Sequence, residues 1–526
     1  MWNILLGPTC WLILLFSFLS TLVLTPALIV LATRFGIVDN GGYRKIHRRI
    51  VPLLGGLAIA LPFLILCNMV VIKPAMIGLV LHSVQNALMR FAICAALVVM
   101  LGVLDDVAHL SSKMKFAAQF AIALLYCLDG SNIVRSVNLP FWGVLHLNII
   151  VGTIITVLWL VGVMNAFNLV DGVDGLATSL ALISAAGLGI ISAINGILVI
   201  VVLCLGLVGC LSAFLIYNFH PARIFLGDTG SLFLGFVLAA LSIGGGSRAS
   251  GAVMLVTPMM VLALPIFDTL TSMARRILRG HDPFFGDRRH THHRLLGRGL
   301  SQRQVAFLMG GVSLLCTVAA ILAQTVQTQQ REFMLFIGLT GIMLILIAWL
   351  NGYLKVKHAM RLMQCRARNS RLKAVSTYVA QVLSSEDSRV PLSDVMRVAC
   401  LELGLDFLEI SRTDSDEHFW QFDEPVDRSN AGRAEVFESI RVEGSAQEKL
   451  LVRYRLAHCH TMEELNNEAA EVEDRLEHED VAVCLARLFG TVRISQLVRL
   501  RNETQDLDAS FPSSATIINS ADFKSS

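Results

Sequence analysis

Charge is scarce in this sequence. Asp, Glu, Lys and Arg make up only 16% of its 526 residues, against about a quarter in ordinary soluble domains. With 55% hydrophobic residues, that scarcity excludes a wholly soluble protein and points to a polytopic membrane protein with something appended. An excess of one sign is missing too. The net charge is +3, too small to argue for a nucleic-acid partner. Paired cysteines are absent: the eleven are scattered and none forms a C-x-x-C pair, so neither a disulfide framework nor a cysteine metal site is expected. The first apolar run, Cys10 to Leu31, lacks a basic leader and an evident cleavage site. It reads as a retained helix.

What the chain does have is apolar runs of membrane-spanning length. They fall near 10–33, 52–72, 86–104, 115–130, 147–165, 176–194, 197–217, 229–245, 251–270, 304–324 and 332–352. The expected fold is therefore all-α and polytopic, with about eleven transmembrane helices. The connecting loops alternate in basic content. One set carries Arg44, Lys45, Arg48 and Arg49, then Lys113 and Lys115, then seven arginines from Arg275 to Arg298; the other is nearly bare. The positive-inside rule places the rich set in the cytoplasm. The N-terminus is then outside and the segment after Leu354 inside.

This topology gathers the polar clusters on one face. The stretch Asn165-Ala-Phe-Asn-Leu-Val-Asp-Gly-Val-Asp-Gly175 is the centre. Asn165, Asn168, Asp171 and Asp174 recur every third residue, so on a helical path they drift slowly round one face. Around it stand Arg44-Lys45-Ile46-His47, the pair Asp105-Asp106 with Lys115 and Gln119, the turn Gly227-Asp228-Thr229-Gly230-Ser231, and His290-Thr291-His292-His293-Arg294. A solvated helix end is the competing reading for each cluster alone. Carboxylates at membrane depth are costly unless used, at roughly 2.5–3.5 kcal/mol per charge on insertion scales.

The residue types suggest phosphate chemistry. Hard oxygen ligands suit Mg²⁺, with Mn²⁺ as the alternative ion, completed by substrate phosphate. The histidines could suggest zinc, but no cysteine or H-E-x-x-H partner accompanies them. In an arginine-rich loop they fit an anionic phosphate better. Phosphoryl transfer needs positioning, a divalent cation and charge neutralisation. The membrane setting implies one lipid substrate, so a polyprenyl phosphate acceptor and a nucleotide-sugar donor are the natural pair.

At these residues the chain resembles the polyprenyl-phosphate N-acetylhexosamine-1-phosphate transferases. Within them it is most similar to the bacterial undecaprenyl-phosphate N-acetylglucosamine-1-phosphate transferases (glycosyltransferase family 4). The resemblance covers about 10–353 and rests on five motifs in order: RKxH with PxxGG, GxxDD with Lys115 and Gln119, NAFNLVDGVDGL, FLGDTGS and HTHHR. It implies Asn168 and Asp228 as magnesium ligands, and Asp105 and Asp106 as the catalytic acidic pair, one of them acting on the lipid phosphate. It implies substrate binding by Lys45, His47, Lys115, Asn165, Asp171, Asp174, His290, His292, His293 and Arg294. Thr291 interrupts what would be a histidine triplet in the muramyl-pentapeptide branch, which favours UDP-N-acetylglucosamine as donor. The implied reaction gives undecaprenyl-diphospho-N-acetylglucosamine and UMP, a first membrane step of a cell-surface polysaccharide pathway in the bacterial plasma membrane. Gly41, Ile50 and Leu53 depart from the family pattern, in the first cytoplasmic loop.

From about Lys355 the composition becomes that of a soluble protein. A transmembrane domain is expected over 1–353, a basic juxtamembrane helix or linker over 354–390, a cytoplasmic α+β module resembling GAF-like sensors over 391–501, and a disordered tail over 502–526. Strands are expected at Phe407–Ser411, Glu435–Val442 and Leu450–Leu456. The module's ligand or partner is left open, and a homodimer is compatible with it. Readings that compete with the enzyme are another UDP-N-acetylhexosamine or UDP-muramyl-pentapeptide donor, a secondary transporter, and a receptor whose cytoplasmic module does the work.

Overall fold

The computed structural model describes residues 8–39, 51–72, 85–246 apart from a few positions near 130 and 141, 256–279 and 290–325. It also describes isolated helical positions from 338 to 400 and four strands within 405–456. Lys45, His47, the expected span at 332–352, the linker helix and the closing helix and tail of the C-terminal module lie outside the described residues, apart from isolated positions.

The chain divides into two units, one of residues 1–275 and 283–358, the other of 276–282 and 359–526. The first unit is mostly helical. Its elements are α1 (Pro8–Phe35), α2 (Gly55–Ile72), α3 (Gln85–Ala108), α4 (Ser112–Cys127), α5 (Ile149–Val170), α6 (Leu176–Ile194), α7 (Leu198–Asn218), α8 (Gly227–Gly246), α9 (Val256–Val261), α10 (Ala263–Arg279), α11 (Thr291–Gly297) and α12 (Gln302–Thr325). Eight of these, α1 to α3, α5 to α8 and α12, are long and apolar enough to cross a membrane. The protein is a multi-pass membrane protein.

Two expected spans take another form. The run at 115–130 is α4, a helix of 16 residues, too short for a hydrocarbon core of about 30 Å at 1.5 Å per residue. The run at 251–270, described from Val256 onward, holds two helices that break at Leu262. Pro265 explains the break: its ring clashes with the carbonyl four residues earlier, at Val261, yet proline is tolerated in the first turn of α10.

The all-α expectation also misses two small hairpins. Val38–Asp39 (β1) pairs with Val51–Pro52 (β2), and Ser136–Leu139 (β3) with Gly143–His146 (β4), both antiparallel. Strands of two to four residues carry too few alternations to be read as a period.

Helix α8 is the centre of the unit. It packs against α2, α3, α5 and α6, and 83% of its span is buried. Small residues let these backbones close. A Cβ on Gly56 of α2 would strike the backbone of Gly230, and one on Gly235 would stand 2.5 Å from Cα of Met164 in α5. In lipid, where apolar surface gains little from burial, such close packing drives helix association. Phe233 and Phe236 of α8 meet Phe63, Phe91 and Tyr126 of the neighbouring helices in edge-on and stacked ring pairs. The hairpin β1–β2 is tied to the entry of α8. Phe225 N–H donates to Pro52 O (2.9 Å), and Gly55 and Gly56 N–H donate to Phe225 O and Leu226 O (3.0 and 2.9 Å).

The second unit holds a four-stranded antiparallel sheet of β5 (Leu405–Arg412), β6 (His418–Asp423), β7 (Glu438–Glu443) and β8 (Lys449–Leu456), in the order β6-β5-β8-β7. Three strands stand where the sequence placed them. The fourth, β6, reads His-Phe-Trp-Gln-Phe-Asp and was not expected. Leu408 and Ile410 of β5 and Val452 of β8 are buried.

Candidate active site

A cavity of about 930 Å³ opens where the polar ends of α3, α4, α5 and α8 converge. Each helix delivers one group. Asp105 comes from the last turn of α3, Lys115 from the first turn of α4, Asn168 from the last turn of α5, and Asp228 from the first turn of α8. The local reasons differ. Ser111 caps α4 by accepting from Met114 N–H, a common helix start. Gly227 has φ +72°, a left-handed turn that glycine adopts without strain, and it opens α8 with Asp228 next in its first turn.

Lys115 is the hub. Its Nζ lies 2.7 Å from Asp105 Oδ2, 2.8 Å from Asp228 Oδ2 and 3.4 Å from Asn168 Oδ1. Asn168 Nδ2 donates to Asp228 Oδ1 and, at 3.0 Å, to Ser231 Oγ. Three oxygens from three helices thus converge on one positive point. Two carboxylates so close would repel, and the ammonium between them offsets that repulsion. The donor set is all hard oxygen, which fits Mg²⁺ or Mn²⁺ and not a soft metal. Among the described residues no three of His, Cys, Asp and Glu cluster closely enough to hold a metal alone. A cation here would need oxygens from a substrate as well.

The other expected residues are sorted by the packing. Asp171, Asp174, Asn165 and His293 line the same cavity. Asn165 Nδ2 donates to Gln119 Oε1 at 2.6 Å and to Val161 O at 2.8 Å. Asp174 Oδ2 is held by His220 Nδ1 (2.8 Å) and accepts from Ala222 N–H (3.1 Å). Asp171 is half-buried, and its carboxyl is pushed well above the usual range, first by loss of solvent and then by the charges of Asp228, Asp106 and Asp174. Asp106 has other partners than Asp105. It borders the cavity, but its oxygens turn to the backbone of α8, accepting from Asp228 N–H (2.8 Å) and Thr229 N–H (3.0 Å). Successive residues of a helix point about 100° apart, so the two acids of the pair face different partners.

The HTHHR segment is likewise divided. His293 alone lines the cavity; Arg294, on α11, stands outside its wall. His290 Nδ1 lies 3.2 Å from Asp268 Oδ2. Asp268 also accepts from Thr291 N–H at 2.9 Å and from the Thr291 hydroxyl. Asp268, whose role the sequence did not disclose, is thus the anchor of this segment. Its signal was a carboxylate at the end of the apolar run Val261–Phe267. His292 is fully buried, with its ring against the backbone of Gly172, where a Cβ would meet Nε2 at 2.5 Å. That contact joins the HTHHR segment to the Asp-Gly-Val-Asp-Gly turn. Asp39, in β1, and Phe116 complete the wall where the sequence named no site residue.

Comparison with known proteins bears on this arrangement. The model of glycosyl transferase family 4 matches residues 88–246, the stretch that supplies Asp105, Lys115, Asn168 and Asp228. A probable undecaprenyl-phosphate N-acetylglucosaminyl 1-phosphate transferase of Bacillus subtilis (strain 168) is 35% identical over 324 residues, 61% of this chain and 87% of the relative. The chain belongs to glycosyl transferase family 4. Two further relatives are named undecaprenyl-phosphate alpha-N-acetylglucosaminyl 1-phosphate transferase. That of Escherichia coli (strain K12) is 27% identical over 297 residues, 56% of this chain and 78% of the relative. That of Salmonella typhimurium (strain LT2) is 28% identical over 328 residues, 61% and 84%. In family 4 terms, the residues aligned with these relatives amount to 56–61% of the chain, so much of it lies beyond the shared part.

Proposed function

We propose that this chain transfers N-acetylglucosamine 1-phosphate from UDP-N-acetylglucosamine to undecaprenyl phosphate, releasing UMP. The observation that carries the reading is the convergence of Asp105, Lys115, Asn168 and Asp228 from four helices at one cavity. The names of the relatives supply the substrate class. A phosphate oxygen of the lipid attacks the phosphorus that bears the sugar. A new P–O–P bond forms, the old P–O–P bond breaks, and UMP leaves with the bonding pair.

The residues divide this work. Asp105 orients the lipid phosphate and takes its proton if it arrives protonated. Lys115 is held between two carboxylates and can swing its ammonium onto the diphosphate as charge builds there. Asn168 and Asp228 would hold Mg²⁺, which when bound offsets the charge of the diphosphate and of the departing UMP. Asn165, Asp171, Asp174 and His293 line the donor side. In this reading the transfer domain is 1–353, and its site faces the cytoplasm, where nucleotide-sugars are found.

Purified protein, given labelled UDP-N-acetylglucosamine, undecaprenyl phosphate and Mg²⁺, should yield lipid-linked sugar and UMP in equal amounts. EDTA should stop the reaction. A preference for UDP-muramyl-pentapeptide or another UDP-N-acetylhexosamine would move the donor assignment. No UMP release from any of these donors would overturn the function.

A further inference from the structure

We propose that Asp106 is a positioning residue for Asp228, acting on the start of α8 and not on substrate. The proposal rests on the transfer reaction above, in which Asp228 works at the diphosphate. Asp105 gives one oxygen to Leu110 N–H (2.9 Å) and the other to Lys115. Asp106 gives both of its oxygens to α8. Oδ1 accepts from Asp228 N–H at 2.8 Å; Oδ2 accepts from Thr229 N–H at 3.0 Å and from the Thr229 hydroxyl at 2.5 Å.

The two N–H groups belong to the first turn of a helix, where no carbonyl of the helix can reach them. A carboxylate is a strong acceptor for such groups, and it sits at the positive end of the helix dipole. An ordinary cap comes from the residue just before the helix. Here it comes from α3, more than a hundred residues away in sequence. The bond therefore fixes α8 sideways as well as closing its end.

The surrounding residues make room for this tie. A Cβ on Gly227 would stand 2.7 Å from Asp106 Oδ2 and 3.1 Å from Oδ1. Gly102, one turn earlier on α3, lets that helix approach the backbone of Thr229. With the peptide of Asp228 held by Asp106, the Asp228 side chain is delivered to Lys115 and Asn168. Three of the roughly four lone-pair sites of the Asp106 carboxylate are thus engaged by α8, so most of its accepting capacity is committed to the helix that aims Asp228.

The test uses Asp106→Asn, Thr229→Val, Thr229→Ser and the double variant Asp106→Asn/Thr229→Val in the full chain. Asn keeps one acceptor oxygen but turns an amide N–H toward a backbone N–H. Turnover of Asp106→Asn should fall roughly ten- to a hundredfold, the worth of a charge-assisted bond or two, with the KM of both substrates little changed. Thr229→Val should lose less, and Thr229→Ser should restore native turnover. The double variant should be no slower than Asp106→Asn, because both changes break one device. Amide exchange at Asp228 and Thr229, which needs no substrate, should quicken in Asp106→Asn and stay native in Thr229→Ser. If Asp106→Asn is as inactive as Asp228→Ala while exchange at α8 is unchanged, Asp106 acts on the reacting groups and the proposal falls. Additive losses in the double variant overturn it too. Should Asp106→Asn fail to fold, native turnover and native exchange in Thr229→Val would be decisive against it. If the native protein transfers nothing, the reaction reading fails, and exchange still decides whether Asp106 holds α8.

Discussion

Acid should destabilise this protein through His292, and the size of the effect follows from its burial. The ring has no exposure, and among the described residues neither of its nitrogens has a hydrogen-bond partner. His290 and His293 lie beside it, with centroids 5.8 and 4.4 Å away. Burial first, then the neighbouring histidines, pull its pKa down to about 3, even though the Asp268 carboxylate works the other way. In an unfolded chain a histidine titrates near 6.5. Between those values the unfolded state binds a proton that the folded state refuses, so stability falls as pH drops. At pH 5 the unfolded side chain is about 1.5 units below its pKa, which at 1.36 kcal/mol per unit costs the fold about 2 kcal/mol. At pH 7.5 the cost is close to zero. The assay is the unfolding midpoint in detergent at both pH values, for the native protein and for His292→Gln, which carries no charge at either. The other titrating groups are common to both proteins. The native protein should lose about 2 kcal/mol more on acidification than the variant. Equal losses would mean that His292 takes up its proton in the folded state, and the account of its burial would be wrong.

Three further outcomes follow from the geometry. Asp228→Ala removes a carboxylate from the convergence point; turnover should fall by roughly a hundred- to a thousandfold or more, with normal membrane insertion, as read by a coupled UMP-release assay. Asp268→Asn weakens the anchor of His290 and Thr291; the KM for the nucleotide-sugar should rise and cleavage by added protease in the 290–297 segment should quicken, with the KM for lipid phosphate unchanged. Gly56→Ala forces a methyl into the backbone of Gly230; it should destabilise the bundle by roughly 1–3 kcal/mol, the usual cost of overpacking, and thermal unfolding of the purified variant measures it.

How much of this was legible in the chain depends on whether a property is local. The spans could be read because a bilayer demands about twenty apolar residues in sequence, and hydropathy is summed along the chain. Asn168, Asp228, Asp105 and Lys115 could be picked out for a similar reason, since polar residues that interrupt such runs are costly. The break at Leu262 was present in the sequence as Pro265, but it was hidden inside a continuous apolar run. The hairpins β1–β2 and β3–β4 were too short to show a period, and β6 had only one short run of aromatic residues to mark it.

Tertiary structure alone decided the tasks of individual side chains. Asp105 and Asp106 are the same residue type at adjacent positions; which one meets Lys115 and which one holds α8 depends on how α3 lies against α8. His290, His292 and His293 are close in sequence, yet one pairs with Asp268, one is sealed behind Gly172 and one reaches the cavity. The physical reason is common to these cases. Composition and periodicity determine that a segment will be a helix and roughly at what depth it lies. The direction of each side chain is set by where the helices touch, and those contacts join residues tens to more than a hundred positions apart.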